Sequence, residues 1–186
     1  MISLQIIAAI ATILSVVLMS KENTSGWTWG IIGITSLFFI NLHQKLYLQS
    51  WLQCVFFIQG LYGFWNWKRV KNKNLKPNLN PYNALKYFGG VLIVSFIISM
   101  FYGTYTDAPL PFIDTWTTGM CLLGNLWLAN KRIEGWLVWS LVNLLLFFVF
   151  FSNKFYISSV VELLLFIISI SNAIQWNNRK IKKSLR

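Results

Sequence analysis

Charged side chains, and acids above all, are what this chain has least of: five Asp and Glu stand against sixteen Lys and Arg in 186 residues, a net charge of +11. So few charges cannot cover a soluble domain when 56% of the residues are apolar, which excludes an ordinary water-soluble fold. Histidine is nearly missing as well. His43 stands alone, with no second His or Cys near it to hold a metal and no nucleophile-base spacing, so the sequence offers no enzyme site and implies no cofactor. The two cysteines, Cys54 and Cys121, lie inside apolar runs, where a free thiol behaves as a small apolar residue and not as half of a disulfide.

What the chain does have is a series of apolar runs, each near the ~20 residues that cross a hydrocarbon core. Seven can be read, at roughly 2–19, 26–42, 46–67, 84–103, 111–130, 133–151 and 155–176, which predicts an all-α membrane protein with seven transmembrane helices. The first run lacks a basic leading region and a small-residue cleavage site, so it reads as a retained span and not a signal peptide. With seven spans, Lys21, Lys68, Arg69, Lys71, Lys73, Lys76, Lys86, Lys131, Arg132 and the tail from Arg179 to Arg186 fall on one side, leaving Lys45 and Lys154 on the other. The positive-inside bias then predicts an outside N-terminus and a cytoplasmic C-terminus. The bases report topology, so the expected surroundings are the lipid bilayer and not a nucleic acid.

The polar, basic stretch KRVKNKNLKPNLNPYN from Lys68 to Asn83, broken by Pro77 and Pro81, is the one substantial linker. Shifting the chain by 109 positions lays spans 1 to 3 on spans 5 to 7 without a gap: Gly26-Trp27 on Gly135-Trp136, Lys45 on Lys154, Tyr47 on Tyr156, Ser50 on Ser159 and Trp67 on Trp176. This predicts two parallel three-helix repeats, 1–67 and 111–176, joined by a basic loop and linker helix at 68–110 and followed by a basic tail at 177–186. A solute pathway would run between the repeats.

Polar groups inside spans are costly and tend to face a cavity or a partner helix. Span 3 carries Gln53, Gln59, Tyr62 and Trp67; span 5 carries Thr117, Thr118 and Asn125; span 6 carries Trp136, Trp139 and Asn143; span 7 carries Glu162 and Asn172. Trp136, Trp139 and Asn143, spaced i, i+3 and i+7, line one helix face. Indoles and amides converging on one pocket suit a flat, heteroaromatic, cationic solute. Glu162 would supply its counter-charge, or else be protonated and bonded to a neighbouring helix. Trp27, Trp29, Trp67 and Trp176, near span ends, read as an interfacial belt. Thr117, Thr118, Gly119 and Gly124 suit close helix packing, and Asp114 suits a helix start.

Two of these stretches resemble the signatures of the Pnu family of bacterial vitamin transporters. QCVFFIQGLYGFWNW carries Gln53, Tyr62, Gly63, Phe64 and Trp67, with Phe64 where the family usually has Trp, and IEGWLVWSLVN carries Glu134, Trp136, Trp139 and Asn143. LPFIDTW, with Asp114, and the pair Glu162 and Asn172 are similar to further family elements. The resemblance implies a three-plus-one-plus-three, SWEET-like architecture in the inner membrane and a homotrimer. It also implies import of nicotinamide riboside by facilitated diffusion, trapped by cytoplasmic phosphorylation, with thiamine or another vitamin or deoxynucleoside as the alternative solute. The residues expected to bind it are Trp136, Trp139, Asn143, Gln53, Tyr62, Glu162, Asn125, Asn172, Gln59 and Thr118.

Overall fold

A computed structural model of the chain describes residues 2–44, 47–69, 79–105 and 110–184; Lys45 and the linker bases Lys71, Lys73 and Lys76 lie outside the described residues. These form seven helices: α1 (Ile2–Ser20), α2 (Ser25–His43), α3 (Tyr47–Arg69), α4 (Pro81–Tyr105), α5 (Pro111–Ala129), α6 (Glu134–Ser152) and α7 (Tyr156–Ser184). Each matches one apolar run. The main departure is α7, which continues through the basic tail to Ser184, because no Pro or Gly interrupts the run of helix-compatible residues after Trp176.

By length and composition α1, α2, α4, α6 and α7 are apolar enough to cross a membrane. Helices α3 and α5 fall short because Gln53, Gln59 and Asn66 on one and Asp114, Thr117 and Asn125 on the other dilute their hydropathy. The two pack on each other, so several of these polar groups meet inside the bundle and not at its outer surface.

Six helices close into a ring, in the order α1, α2, α3, α5, α6, α7 and back to α1. Helix α4 stands outside and packs on α5, with Gly103 against Pro111 and a reciprocal pair in which the Ser95 and Thr115 hydroxyls each donate to the other residue's carbonyl (3.3 and 3.1 Å). One end of the bundle carries Lys21, Lys68, Arg69, Lys86, Lys131, Arg132, Arg179 and Lys180, and is called the basic end below; Lys154 lies at the other.

The α1–α2 and α5–α6 turns are built alike. Asn23 N–H donates to Leu18 O (3.0 Å) and Arg132 N–H to Trp127 O (2.9 Å), around Glu22 (φ 57°) and Lys131 (φ 54°), which hold the left-handed conformation of a Schellman cap. In both hairpins a glycine follows. A Cβ on Gly26 would lie 2.8 Å from Met19 N, and one on Gly135 2.8 Å from Leu128 N. Those neighbours are backbone and cannot swing aside, so only glycine lets these helix pairs approach so closely. The matching turns, glycines and starts of α3 and α7 are all separated by the same 109 positions.

Candidate functional site

Both joints between the two halves of the ring reach the basic end, where side chains of one half bond to carbonyls and to an amide oxygen at the C-terminus of a helix in the other. From α3, Trp67 Nε1 donates to Leu128 O (3.0 Å), Asn66 Nδ2 to Ala129 O (2.8 Å) and the Tyr62 hydroxyl to Asn130 Oδ1 (3.1 Å). From α7, Trp176 Nε1 and Arg179 Nη1 both donate to Ser20 O (2.9 and 3.0 Å), and Arg179 also lies 3.7 Å from Glu22.

Between these joints four indoles fill the basic end. Trp27 meets Trp67 edge-on at 5.7 Å, Trp67 meets Trp176 at 5.8 Å, and Trp176 meets Trp136 edge-on at 5.8 Å. The sequence reading of Trp27, Trp67 and Trp176 as a membrane belt is therefore corrected: they are 2%, 1% and 0% exposed, inside a cluster with Met19, Leu128 and Ile133. Proximity to a helix end is common to a belt and to a core plug, and only the closed ring turns these faces inward. Trp29, at 36%, does face outward. Lys131 covers the cluster, its Nζ 5.4 Å from the Trp67 ring, a cation–π contact over buried aromatics.

Next to this plug, toward the middle of the ring, lies a cavity of about 290 Å³ to which all six ring helices contribute. Trp27, Trp136 and Trp139 supply aromatic wall; Ser15, Gln53, Asn125, Asn143 and Ser169 supply polar groups; none of the lining residues is charged. Asn143 Nδ2 donates to Ser169 Oγ at 3.4 Å, and Asn125 Nδ2 donates to Gln59 Oε1 at 3.2 Å, while Gln59 Nε2 is held by Leu122 O at 3.1 Å. Among the described residues those bonds leave the carbonyl oxygens of both asparagines available. The indole N–H groups of Trp27 and Trp136 find no partner among the described residues.

Of the ten residues expected to bind solute, Trp136, Trp139, Asn143, Gln53 and Asn125 line this cavity. Gln59 stands behind Asn125 and orients it, and Tyr62, 42% exposed, belongs to the α3–α5 joint. Asn172 is buried one turn beyond Ser169 toward the plug, with Nδ2 unpartnered among the described residues. Glu162 is half-buried on the α7 face that carries Ser169, seven residues or roughly 10 Å along the helix toward the other end. Thr118 lies outside the ring, in a wider groove between α3 and α4. Its neighbours behave as packing residues: a Cβ on Gly119 would lie 2.9 Å from Val91, one on Gly124 3.0 Å from Val138, and the Thr117 hydroxyl turns back onto Ile113 O. Sequence reasoning missed Trp27, Ser15 and Ser169; the Gly-Trp match at 109 positions was the available signal for Trp27.

A ring of membrane helices around an uncharged, aromatic and amide-lined chamber is the build of a solute carrier, a multi-pass membrane protein and not an enzyme. The chain belongs to the nicotinamide mononucleotide transporter family, whose pattern matches residues 2–178. It is similar to the nicotinamide riboside transporter PnuC of Escherichia coli (strain K12) and of Shigella flexneri, each 24% identical over 211 aligned positions that cover 98% of this chain and 88% of the relative. A crystal structure of the vitamin B3 transporter PnuC shares the fold, with a TM-score of 0.74 at 19% identity, covering 96% of this chain and 82% of that one.

Proposed function

We propose that the protein imports nicotinamide riboside across the bacterial inner membrane by facilitated diffusion, with its basic end in the cytoplasm and phosphorylation inside the cell trapping the solute. The observation that carries this reading is the charge-free cavity itself. Its volume, about 290 Å³, lies just below the roughly 300–1,000 Å³ usual for small-molecule sites and so suits a small solute. A pyridinium ring gains from indole faces without needing a fixed anion, worth about 2 kcal/mol when desolvated. A phosphate, carrying about −1.5 to −2 charges, would need Arg or Lys, and the lining offers neither. The riboside is therefore favoured over the mononucleotide as the bound form.

In this mechanism Trp136 and Trp139 wall the ring, and Asn143, Asn125 and Gln53 bind ribose hydroxyls and carboxamide. Glu162, outward of the cavity, attracts the cation as it enters. The units α1–α3 and α5–α7, parallel repeats joined by α4, rock against each other, and separation of the four indoles opens the cytoplasmic side. Unpartnered indole N–H groups on Trp27 and Trp136 lower the cost of that opening, because water or solute can then satisfy them.

Binding measured on purified protein tests this. Nicotinamide riboside is expected to raise the thermal midpoint, while nicotinamide mononucleotide, thiamine and riboflavin do not, since a ligand stabilises a folded state in proportion to occupancy. Trp139→Ala and Asn143→Ala are each expected to weaken Kd about tenfold or more, the equivalent of ~1.4 kcal/mol, with unchanged helix content. Equal affinity for riboside and mononucleotide, or wild-type affinity in both variants, would refute the assignment.

A further inference from the structure

The groove that holds Thr118 has no part in the reading above. It measures about 920 Å³ and opens on the outside of the ring, with α5 as its floor and α3 and α4 as its walls. The α4 wall runs from Asn83 and Lys86 through Gly90 and Val94 to Ile98, one helical face at i, i+4 spacing. A Cβ on Gly89 or Gly90 would meet nothing within 4 Å, so this stretch of α4 is left unpacked. On α3, Trp51 (72% exposed) and Val55 line the groove, and the same face continues through Ile58 and Trp65 to Arg69 at the basic end.

The two ends differ in charge. At the basic end Lys86 stands on the α4 wall and Arg69 ends the α3 face, where its guanidinium lies 5.7 Å from the Trp65 ring. Neither pairs with an acid among the described residues. At the other end the groove runs on past Ile98 to Tyr102, Gln49 and Asp114. Its stretch from Lys86 to Ile98 is twelve residues, a rise of about 18 Å, close to one leaflet of a hydrocarbon core about 30 Å thick. The basic-end part of the groove, mainly apolar and cationic at the interface, complements a phospholipid with a net negative headgroup. A second copy of the chain fits less well. Of the acids at its basic end, Glu22 lies beside Arg179 and Glu134 is turned inward, one oxygen bonded to the Leu79 N–H and the other buried, so a neighbour would present mainly positive charge.

We propose that the α3–α4 groove holds one anionic phospholipid of the basic-end leaflet, its phosphate between Lys86 and Arg69 and an acyl chain laid along Gly90, Val94 and Ile98 toward Val55 and Trp51. The lipid completes the packing of α4, which among the described helices rests on α5.

The test titrates delipidated full-length protein with phosphatidylglycerol and phosphatidylcholine of identical chains, read by native mass spectrometry and thermal shift. Phosphatidylglycerol is expected to bind roughly tenfold tighter or better, two cations at the interface each adding to the attraction. The double variant Lys86→Glu, Arg69→Glu loses that preference and keeps its helix content. Gly90→Phe, which fills the slot, lowers retention of both lipids; should that variant not fold, the charge variant decides alone. Equal retention of the two lipids by the wild type, or a preserved preference in the charge variant, overturns the proposal. So does a Gly90→Phe protein that keeps its lipid while an oligomer falls apart, which would give the groove to a second copy.

Discussion

Lys154 follows α6 at φ 63°, with Phe155 N–H bonded to Phe150 O at 2.9 Å, a third left-handed cap occupied by a residue with a Cβ. The left-handed conformation costs such a residue about 1–2 kcal/mol, and glycine escapes most of it. Lys154 is exposed, so Lys154→Gly is expected to stabilise the protein by about 1 kcal/mol, read as a higher midpoint in detergent; an unchanged or lower midpoint would mean that the side chain makes a compensating contact. Glu22 and Lys131 hold the same conformation but also make contacts at the plug, through Arg179 and Trp67, so a glycine there trades relief of strain against lost interactions. The orphan N–H groups of Trp27 and Trp136 are the corresponding cost inside the bundle. Each belongs to the Gly-Trp dipeptide that opens its helix, a feature visible in the sequence, whereas the fact that both indoles point into one chamber was not.

At the scale of helices, close approach between α2 and α3 depends on Gly63. A Cβ there would sit 2.5 Å from the Trp27 ring, against an indole that is itself wedged by Trp67. Gly63→Ala is expected to destabilise by about 1–3 kcal/mol, as overpacking does in tight cores, and to weaken solute binding because Trp27 walls the cavity. Gly89→Ala, with open space around its Cβ, is the control and should be neutral or slightly stabilising. Thermal unfolding and solute Kd check both. Helix positions were legible in the sequence because each apolar run is long and bounded by polar turns. Helices α3 and α5 were legible only as impure spans, and the reason is now physical: Gln59 and Asn125, which lower their hydropathy, bond to each other across the joint.

Across the whole molecule, the two halves meet at the basic end through indole N–H bonds to Leu128 O and Ser20 O. Trp67→Phe and Trp176→Phe keep a ring in place and remove these bonds, each normally worth about 0.5–1.5 kcal/mol. They are expected to shift the protein toward a state open at the basic end. An Asn172→Cys reporter in a Cys54→Ser, Cys121→Ser background should then label faster with an impermeant thiol reagent added from that side; unchanged labelling would show that the indoles are not the latch. The sequence by itself determined that this is a helical membrane protein of seven apolar segments with basic residues gathered on one side, because hydrophobic run length and charge placement are one-dimensional properties set by the bilayer. It also determined the stripe of Trp136, Trp139 and Asn143, since helical periodicity alone puts them on one face. Tertiary structure decided what that face looks at. Closure of six helices into a ring turned Trp27, Trp67 and Trp176 from apparent belt residues into a plug and joined Gln53 and Asn125 to the chamber. It also left Thr118 outside, because which side of a helix becomes interior depends on its neighbours and not on its own order of residues.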